Sequence, residues 1–175
     1  MCRSAFDSRG RVTCSYEQVG FEPSKLIAKY TYIEIESVLI TTIWLPHGHT
    51  QKQKDHEEGH RRIAERVYVE NSERIARQVA AKYIGKTIRK FLLYEEHKKL
   101  ATVATKKAGM EISVQWLKQI VEISKRLNES YDVITDHGRN DIAEDEAIEL
   151  AFAKDDNNGA LQRPVASRKS KRFGH

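Results

Sequence analysis

Cysteine is scarce in this chain, since Cys2 and Cys14 are the only two in 175 residues. Neither has a second cysteine or a histidine at structural-zinc spacing, which excludes a zinc-finger type of site. Two states of the pair stay open, a single small disulfide loop in an exported protein or two reduced thiols.

Long apolar segments are also missing. No run approaches the ~18 residues needed to cross a bilayer, so we expect no membrane span. The N-terminus lacks the apolar region of a signal peptide, so we expect any export signal to have been removed or never to have existed. With 39% hydrophobic residues and a mean hydropathy of -0.63, the composition predicts one polar globular domain with a core of its own.

The net charge of +5 is concentrated late in the chain. Residues 156–175 are predicted to form a basic, disordered tail. The composition argues against nucleic acid as a partner, because 25 acidic residues are mixed with 30 basic ones and no known nucleic-acid-binding motif is present. The tail's basic residues are Arg163, Arg168, Lys169, Lys171 and Arg172.

The order of the predicted elements is strands first and helices afterwards. Residues 30–45 alternate or are β-branched and aromatic, which predicts strands ended by Pro46 and Gly48. A helix is predicted to begin near residues 51–55, and no internal repeat is visible. This order indicates an α+β fold, with a small N-terminal β-sheet followed by helices.

Three parts of the chain are predicted from these patterns. Residues 1–28 form an N-terminal extension, irregular over residues 1–14, and residues 29–155 form the domain that precedes the tail. Within the domain we expect helix boundaries near Asn71-Ser72, at Ala108-Gly109 and around Asn128, then a loop at 131–140 and a last helix at 142–153.

The most informative feature is the array His56-Glu57-Glu58-Gly59-His60, which has the form H-E-x-x-H. On a helix, residues four apart lie one turn above each other, so both imidazoles can reach one zinc ion. Glu57 then lies beside the metal, where it can accept a proton from bound water. The array therefore predicts a zinc-dependent peptidase.

The surrounding residues favour this interpretation. His56 and His60 share an apolar helical stripe with Ile63, Ala64 and Val67. Histidines that face a core need partners, because a buried polar group without one is costly. The alternative is a charged, solvated helix whose histidines face water.

A catalytic zinc site usually has three protein ligands and an open fourth position. The extended motif with a third histidine is absent, because Ile63 and Arg66 occupy its glycine and histidine positions. The third ligand must therefore come from elsewhere, and the candidates are His97, His137 and Glu73.

Two blocks of the chain resemble a known family. The array at residues 56–60, continued by Ile63-Ala64-Glu65, is similar to the active-site helix of the bacterial domain-of-unknown-function family 922, which contains predicted exported zinc proteases. Residues 131–138 resemble its second block, a Tyr-Asp pair followed by a Thr-x-His motif. Thr41-Thr42-Ile43-Trp44 is similar to the strand before its helix. The resemblance covers about residues 30–145.

The resemblance implies a zincin-like fold with Zn²⁺ as cofactor, His137 as third ligand and Tyr131 near the site. It also implies a periplasmic or secreted protein, with a cytoplasmic location left open. Where this family's second block continues into Gln and Trp, this chain has Asp141-Ile142-Ala143-Glu144 and an acidic segment.

The predicted mechanism assigns one role to each residue. Glu57 acts as general base towards the water, and Tyr131 donates a hydrogen bond to the developing oxyanion. Asp55 or Asp132 supports a ligand histidine. A peptide or protein substrate adds as a strand to the edge of Val38–Leu45, or that segment is a buried central strand.

Two other functions remain open at this stage. One is a basic helical module that binds a partner without catalysis, and the other is a zinc ion that only clips two helices and a loop together. The oligomeric state is not predicted.

Overall fold

The computed structural model describes residues 3–22, 25–91 and 97–162, and it has an α+β fold. The predicted class is confirmed. The elements in chain order are β1 (Arg3–Glu22), β2 (Lys25–Trp44), α1 (Gln51–Ala81), β3 (Thr87–Phe91), α2 (His97–Thr135) and α3 (Glu144–Gln162). Cys2 lies outside the described residues, so its pairing with Cys14 stays a prediction.

The three strands form an antiparallel sheet in the order β1-β2-β3. β1 pairs with the whole of β2, from Arg3 opposite Trp44 to Glu22 opposite Lys25. The expectation of an irregular segment at 1–14 was wrong. From Arg3 onwards these residues form a strand whose backbone groups make hydrogen bonds with β2. β3 pairs only with residues 25–29 of β2.

The inner face of β2 contacts the helices and its outer face is exposed. Ile33 and Ile35 pack against the core, whereas Tyr32 and Val38 are 55% and 58% exposed. This alternation is typical of an antiparallel sheet covered on one side. The segment 38–44 is therefore not a buried central strand, and within the described chain β3 does not extend along residues 38–43 of β2.

α1 begins where the sequence predicts, with Thr50 and Gln53 forming a capping box. The helix then continues through Asn71-Ser72, so the predicted boundary there was wrong. The physical reason is tertiary packing: the Trp116 indole nitrogen donates to the Ser72 carbonyl at 3.1 Å, and both side chains are buried. α1 buries the apolar stripe that includes Ile63, Val67, Ile75 and Val79 against the other helices.

α2 is one continuous helix, and the predicted turn at Ala108-Gly109 is absent. Gly109 lies where α2 crosses β1, and a Cβ there would be 2.8 Å from the Val12 carbonyl oxygen. The glycine therefore allows close packing of helix on strand. α2 also runs past Asn128 to Thr135, so the predicted loop at 131–140 is helical in its first half.

The remaining boundaries also differ from the sequence prediction. Between α1 and α2, where no strand was predicted, Ile88 and Phe91 lie in β3, after a turn with Gly85 at φ 78°. α3 extends to Gln162, beyond the predicted end at 153, and residues 163–175 lie outside the described chain. None of the described helices has a stretch long and apolar enough to cross a bilayer.

The contact between α2 and β1 predicts a stability change. A Gly109→Ala substitution places a methyl group against a backbone oxygen, which costs about 1–3 kcal/mol by overpacking. The higher helix propensity of alanine offsets up to about 1 kcal/mol of this cost. We therefore expect the free energy of unfolding in urea to fall by about 1 kcal/mol. Lys106→Ala on the exposed face of α2 is the control, and a Gly109→Ala protein as stable as wild type would contradict the packing argument.

Candidate metal centre

The site lies where α1 and α2 run antiparallel and their side chains meet in register. On α1, His56 and His60 are one turn apart, and on α2 the residues Asn128, Asp132 and Thr135 share one face at spacings of four and three. His60 contacts Asn128, His56 lies beside Thr135, and Asp132 lies between the two rings.

Three donor atoms converge at this point. Asp132 Oδ1 is 3.3 Å from His56 Nε2 and 3.1 Å from His60 Nε2. Ligands bound tetrahedrally to zinc at about 2.0–2.1 Å lie about 3.3 Å from one another. Of the described residues, His56, His60 and Asp132 form the only group of histidine, cysteine or carboxylate donors close enough to share one ion. The pair of histidines therefore acquires a carboxylate partner with ligand spacing.

The hydrogen-bond partner of His60 determines which ring nitrogen carries a proton. His60 Nδ1 is 2.6 Å from Asn128 Oδ1, while Asn128 Nδ2 donates to the Ser124 carbonyl at 2.7 Å. The amide oxygen therefore faces the ring, and Nδ1 must be an N–H donor. In a neutral His60, the lone pair of the unprotonated Nε2 would then face a lone pair of the Asp132 oxygen, and the two would repel each other. The contact requires a second ring proton or a cation.

His56 is arranged in a similar way. Its Nδ1 is 3.5 Å from the Thr135 hydroxyl oxygen, and that hydroxyl donates to the Tyr131 carbonyl at 2.9 Å. Because the hydroxyl proton is engaged, its oxygen is left to accept from the ring. Both imidazoles thus have an acceptor behind them and the same carboxylate oxygen in front.

The charges of the site stabilise one another against burial. Burial lowers the pKa of His60, but the bonds to Asp132 and Asn128 outweigh it and raise the pKa above 6.5. Burial also opposes ionisation of Asp132, yet hydrogen bonds from His56 and His60 hold the pKa of its carboxyl well below the usual range. The carboxylate is therefore charged at neutral pH, as a metal ligand must be.

Glu57 is 7% exposed and follows His56 directly on α1. Its negative charge contributes to the raised pKa of His60, so the carboxylate acts electrostatically on the site. The prediction that both histidines lie on the apolar stripe of α1 agrees with their burial.

Tyr131 forms a wall of the site. Its ring is fully buried and stacks on His56, with ring centroids 5.1 Å apart. The hydroxyl donates to the Glu144 carboxylate, and a Cβ at Gly59 would overlap it. The role of Tyr131 in stabilising an oxyanion stays a prediction. In this structure its hydroxyl has a structural role, because it bonds to Glu144 beneath α1.

His137 lies at the rim of the site. Its side chain is 67% exposed, and its Nδ1 is 3.7 Å from Asp132 Oδ1. Although it is near Asp132, His137 is not part of the group whose donor atoms all lie close enough to one another to share an ion. Its role as third ligand stays a prediction, and in this conformation Asp132 is the third member of that group.

The other two candidates for the third ligand are distant. Glu73 lies on α1 itself, thirteen residues or about 20 Å along the helix from His60, and it pairs with Arg77. His97 is the first residue of α2, about 50 Å along that helix from Asp132. Neither position can contribute to this centre.

Sequence reasoning treated Asp132 only as a possible supporting residue and overlooked Asn128 and Thr135. The available indication was the helical spacing of these three residues, which becomes visible only when α2 is extended beyond Asn128. The predicted loop at 131–140 hid that periodicity. Asp55, the other supporting residue considered, makes its hydrogen bond to Gln51.

No family model matches this chain, and no match was found among the curated proteins or the solved structures. The functional argument therefore depends on the geometry of the site.

The pKa shifts predict how the metal-free protein responds to pH. Because the pKa of His60 is raised on folding, its contribution to stability is complete below the unfolded value of 6.5 and is lost as pH rises through the folded value. With a chelator present, we expect a lower free energy of unfolding at about pH 8 than at about pH 6. Asp132→Asn should flatten this dependence, and an equal slope in both proteins would contradict the assigned contact.

Proposed function

We propose that this chain is a zinc-dependent peptidase whose metal is held by His56, His60 and Asp132. The observation that carries the proposal is the shared Asp132 oxygen, which faces one ring nitrogen of each histidine at zinc-ligand spacing. With a proton held on the nitrogen that faces the Asn128 or Thr135 acceptor, each neutral ring can offer its other nitrogen as a lone-pair donor. A cation at this point would take the place of the ring protons that bond to Asp132 in the metal-free protein.

The donor set suits zinc, which binds imidazole nitrogen and carboxylate oxygen and keeps an open fourth position in catalytic sites. Zinc bound there would lower the pKa of a water and polarise a substrate carbonyl. The zincin-like arrangement expected from the sequence is part of this proposal, with Asp132 in place of His137 as the third ligand.

Glu57 is the residue that we assign to proton transfer. It precedes Glu58 and Gly59 within the turn that separates the two histidines, and its side chain is buried. Its carboxylate would accept a proton from the attacking water and pass it to the departing amine. Burial limits competing solvent around that carboxylate.

The site has an open side. The Asp132 side chain is 30% exposed, and His137 beside it is largely exposed. A metal with three protein ligands here would retain access to water and substrate from this direction. This access favours a catalytic ion over a fully enclosed structural one.

The free edge of β2 offers a place for a peptide substrate. Ser37 on β2 contacts Tyr68 on α1, and His56 lies about 18 Å back along that helix. The same distance along the antiparallel strand reaches about residue 42 or 43. In the described chain this part of β2 pairs only with β1. An extended peptide could add there by backbone hydrogen bonds, level with the metal.

A structural zinc clip is the second candidate. The donors come from two different helices, so an ion would cross-link α1 and α2 whether or not it catalyses a reaction. A basic binding module depends on residues 163–175, which lie outside the described chain. Loss of hydrolysis without loss of metal separates catalysis from both alternatives.

Glu57→Gln tests catalysis directly. The change removes the proton acceptor and keeps the size of the side chain, so we expect hydrolysis of a peptide library to fall by at least about 100-fold. Zinc content, measured by elemental analysis, should stay near one ion per chain. Glu58→Gln, at the adjacent position paired with Arg61, is the matched control and should retain activity. Full activity in Glu57→Gln would remove Glu57 from the mechanism.

Asp132→Ala and His137→Ala distinguish the two candidates for the third ligand. We expect Asp132→Ala to weaken zinc binding about 100-fold or more, because the substitution removes one of the three proposed ligands. His137→Ala should retain zinc, since that ring lies outside the donor group. Competition with a chromophoric chelator measures both affinities. The reverse pattern would restore His137 as the ligand.

A further inference from the structure

We infer that Asn128 and Thr135 are positioning residues that select Nε2 of each histidine as the metal-binding atom. This inference rests on the proposed metal site. Each residue lies one turn from Asp132 on the same face of α2, Asn128 on the N-terminal side and Thr135 on the C-terminal side. α2 therefore carries the third ligand together with one supporting group for each histidine on α1.

An imidazole ring can bind a metal through either nitrogen, and the ring can turn about its χ2 angle. An acceptor behind one nitrogen keeps a proton there and leaves the other nitrogen as the ligand. For His60 that acceptor is Asn128 Oδ1 at 2.6 Å. For His56 it is the Thr135 hydroxyl at 3.5 Å.

The Asn128 amide is itself fixed in one orientation. Its Nδ2 donates to the Ser124 carbonyl at 2.7 Å and lies 3.3 Å from the Ser124 hydroxyl. A rotation of the amide by 180° would place its oxygen against that carbonyl, so the orientation facing His60 is favoured. The support for His60 therefore consists of two linked residues on α2, Asn128 and Ser124.

The two supports differ in strength. The contact at 2.6 Å to His60 is a short hydrogen bond, whereas the one at 3.5 Å to His56 is at the limit of such a bond. Removal of the Asn128 acceptor should therefore weaken zinc binding more than removal of the Thr135 hydroxyl. A role in packing alone gives no reason for this order.

Asn128→Leu, Asn128→Asp and Thr135→Val test the inference in the full chain. Leucine removes the acceptor at similar size, and aspartate keeps an oxygen at the same position. We expect Asn128→Leu to raise the zinc Kd about 10- to 100-fold and Thr135→Val to raise it less. Asn128→Asp should stay close to wild type, because its second oxygen can accept from the Ser124 hydroxyl. Glu129→Leu, the same substitution at the adjacent exposed position, is the control.

Histidine ¹⁵N chemical shifts give a readout that packing does not produce. In wild type, His60 should carry a proton on Nδ1 with and without zinc. In metal-free Asn128→Leu, the neutral ring should carry its single proton on Nε2, which faces Asp132. Retention of Nδ1–H in Asn128→Leu, or an unprotonated Nδ1 in wild type, would overturn the inference.

Two further outcomes are also decisive. If circular dichroism shows that Asn128→Leu does not fold, the test depends on the His60 tautomer in wild type and on the zinc Kd of Asn128→Asp. A strong loss of zinc affinity in Asn128→Asp would then reject the assigned role. If wild type binds no zinc, the proposed function fails. The proton on His60 in the metal-free protein then still shows whether Asn128 orients the ring.

Discussion

One carboxylate oxygen, Asp132 Oδ1, faces two buried imidazoles, and this contact limits how α1 and α2 can be aligned. The oxygen lies 3.1 and 3.3 Å from the two ring nitrogens, and each ring has an acceptor on its far side. Charged groups are buried at a large desolvation cost unless they are balanced. The register of the two helices is therefore constrained, because a shift of one residue would separate the carboxylate from its partners.

The surrounding scaffold holds this contact in place. Tyr131 stacks on His56 from below and is fixed by Glu144, which begins α3. Further along the same helix pair, Trp116 on α2 donates to the Ser72 carbonyl on α1, which joins the two helices at a second buried point. Such support on rigid helices gives a ligand set little freedom, which favours a preorganised metal site.

Local patterns in the sequence predicted the elements whose form depends on near neighbours. The alternation in β2 and the start of α1 near residue 51 depend on contacts within a few residues, and both are found as expected. The predicted boundaries at Asn71-Ser72 and Ala108-Gly109 were wrong because tertiary contacts outweigh weak local preferences. Gly109 interrupts no helix, since its missing side chain serves the close approach of β1.

The sequence by itself determined that two histidines and a glutamate lie within one turn of an amphipathic helix, because 3.6 residues per turn fixes that geometry locally. It did not determine which distant side chain completes the group. Tertiary structure decided in favour of Asp132, with Asn128 and Thr135 behind the rings, since contacts between helices depend on how their buried faces pack. No spacing along one segment encodes the register between two helices.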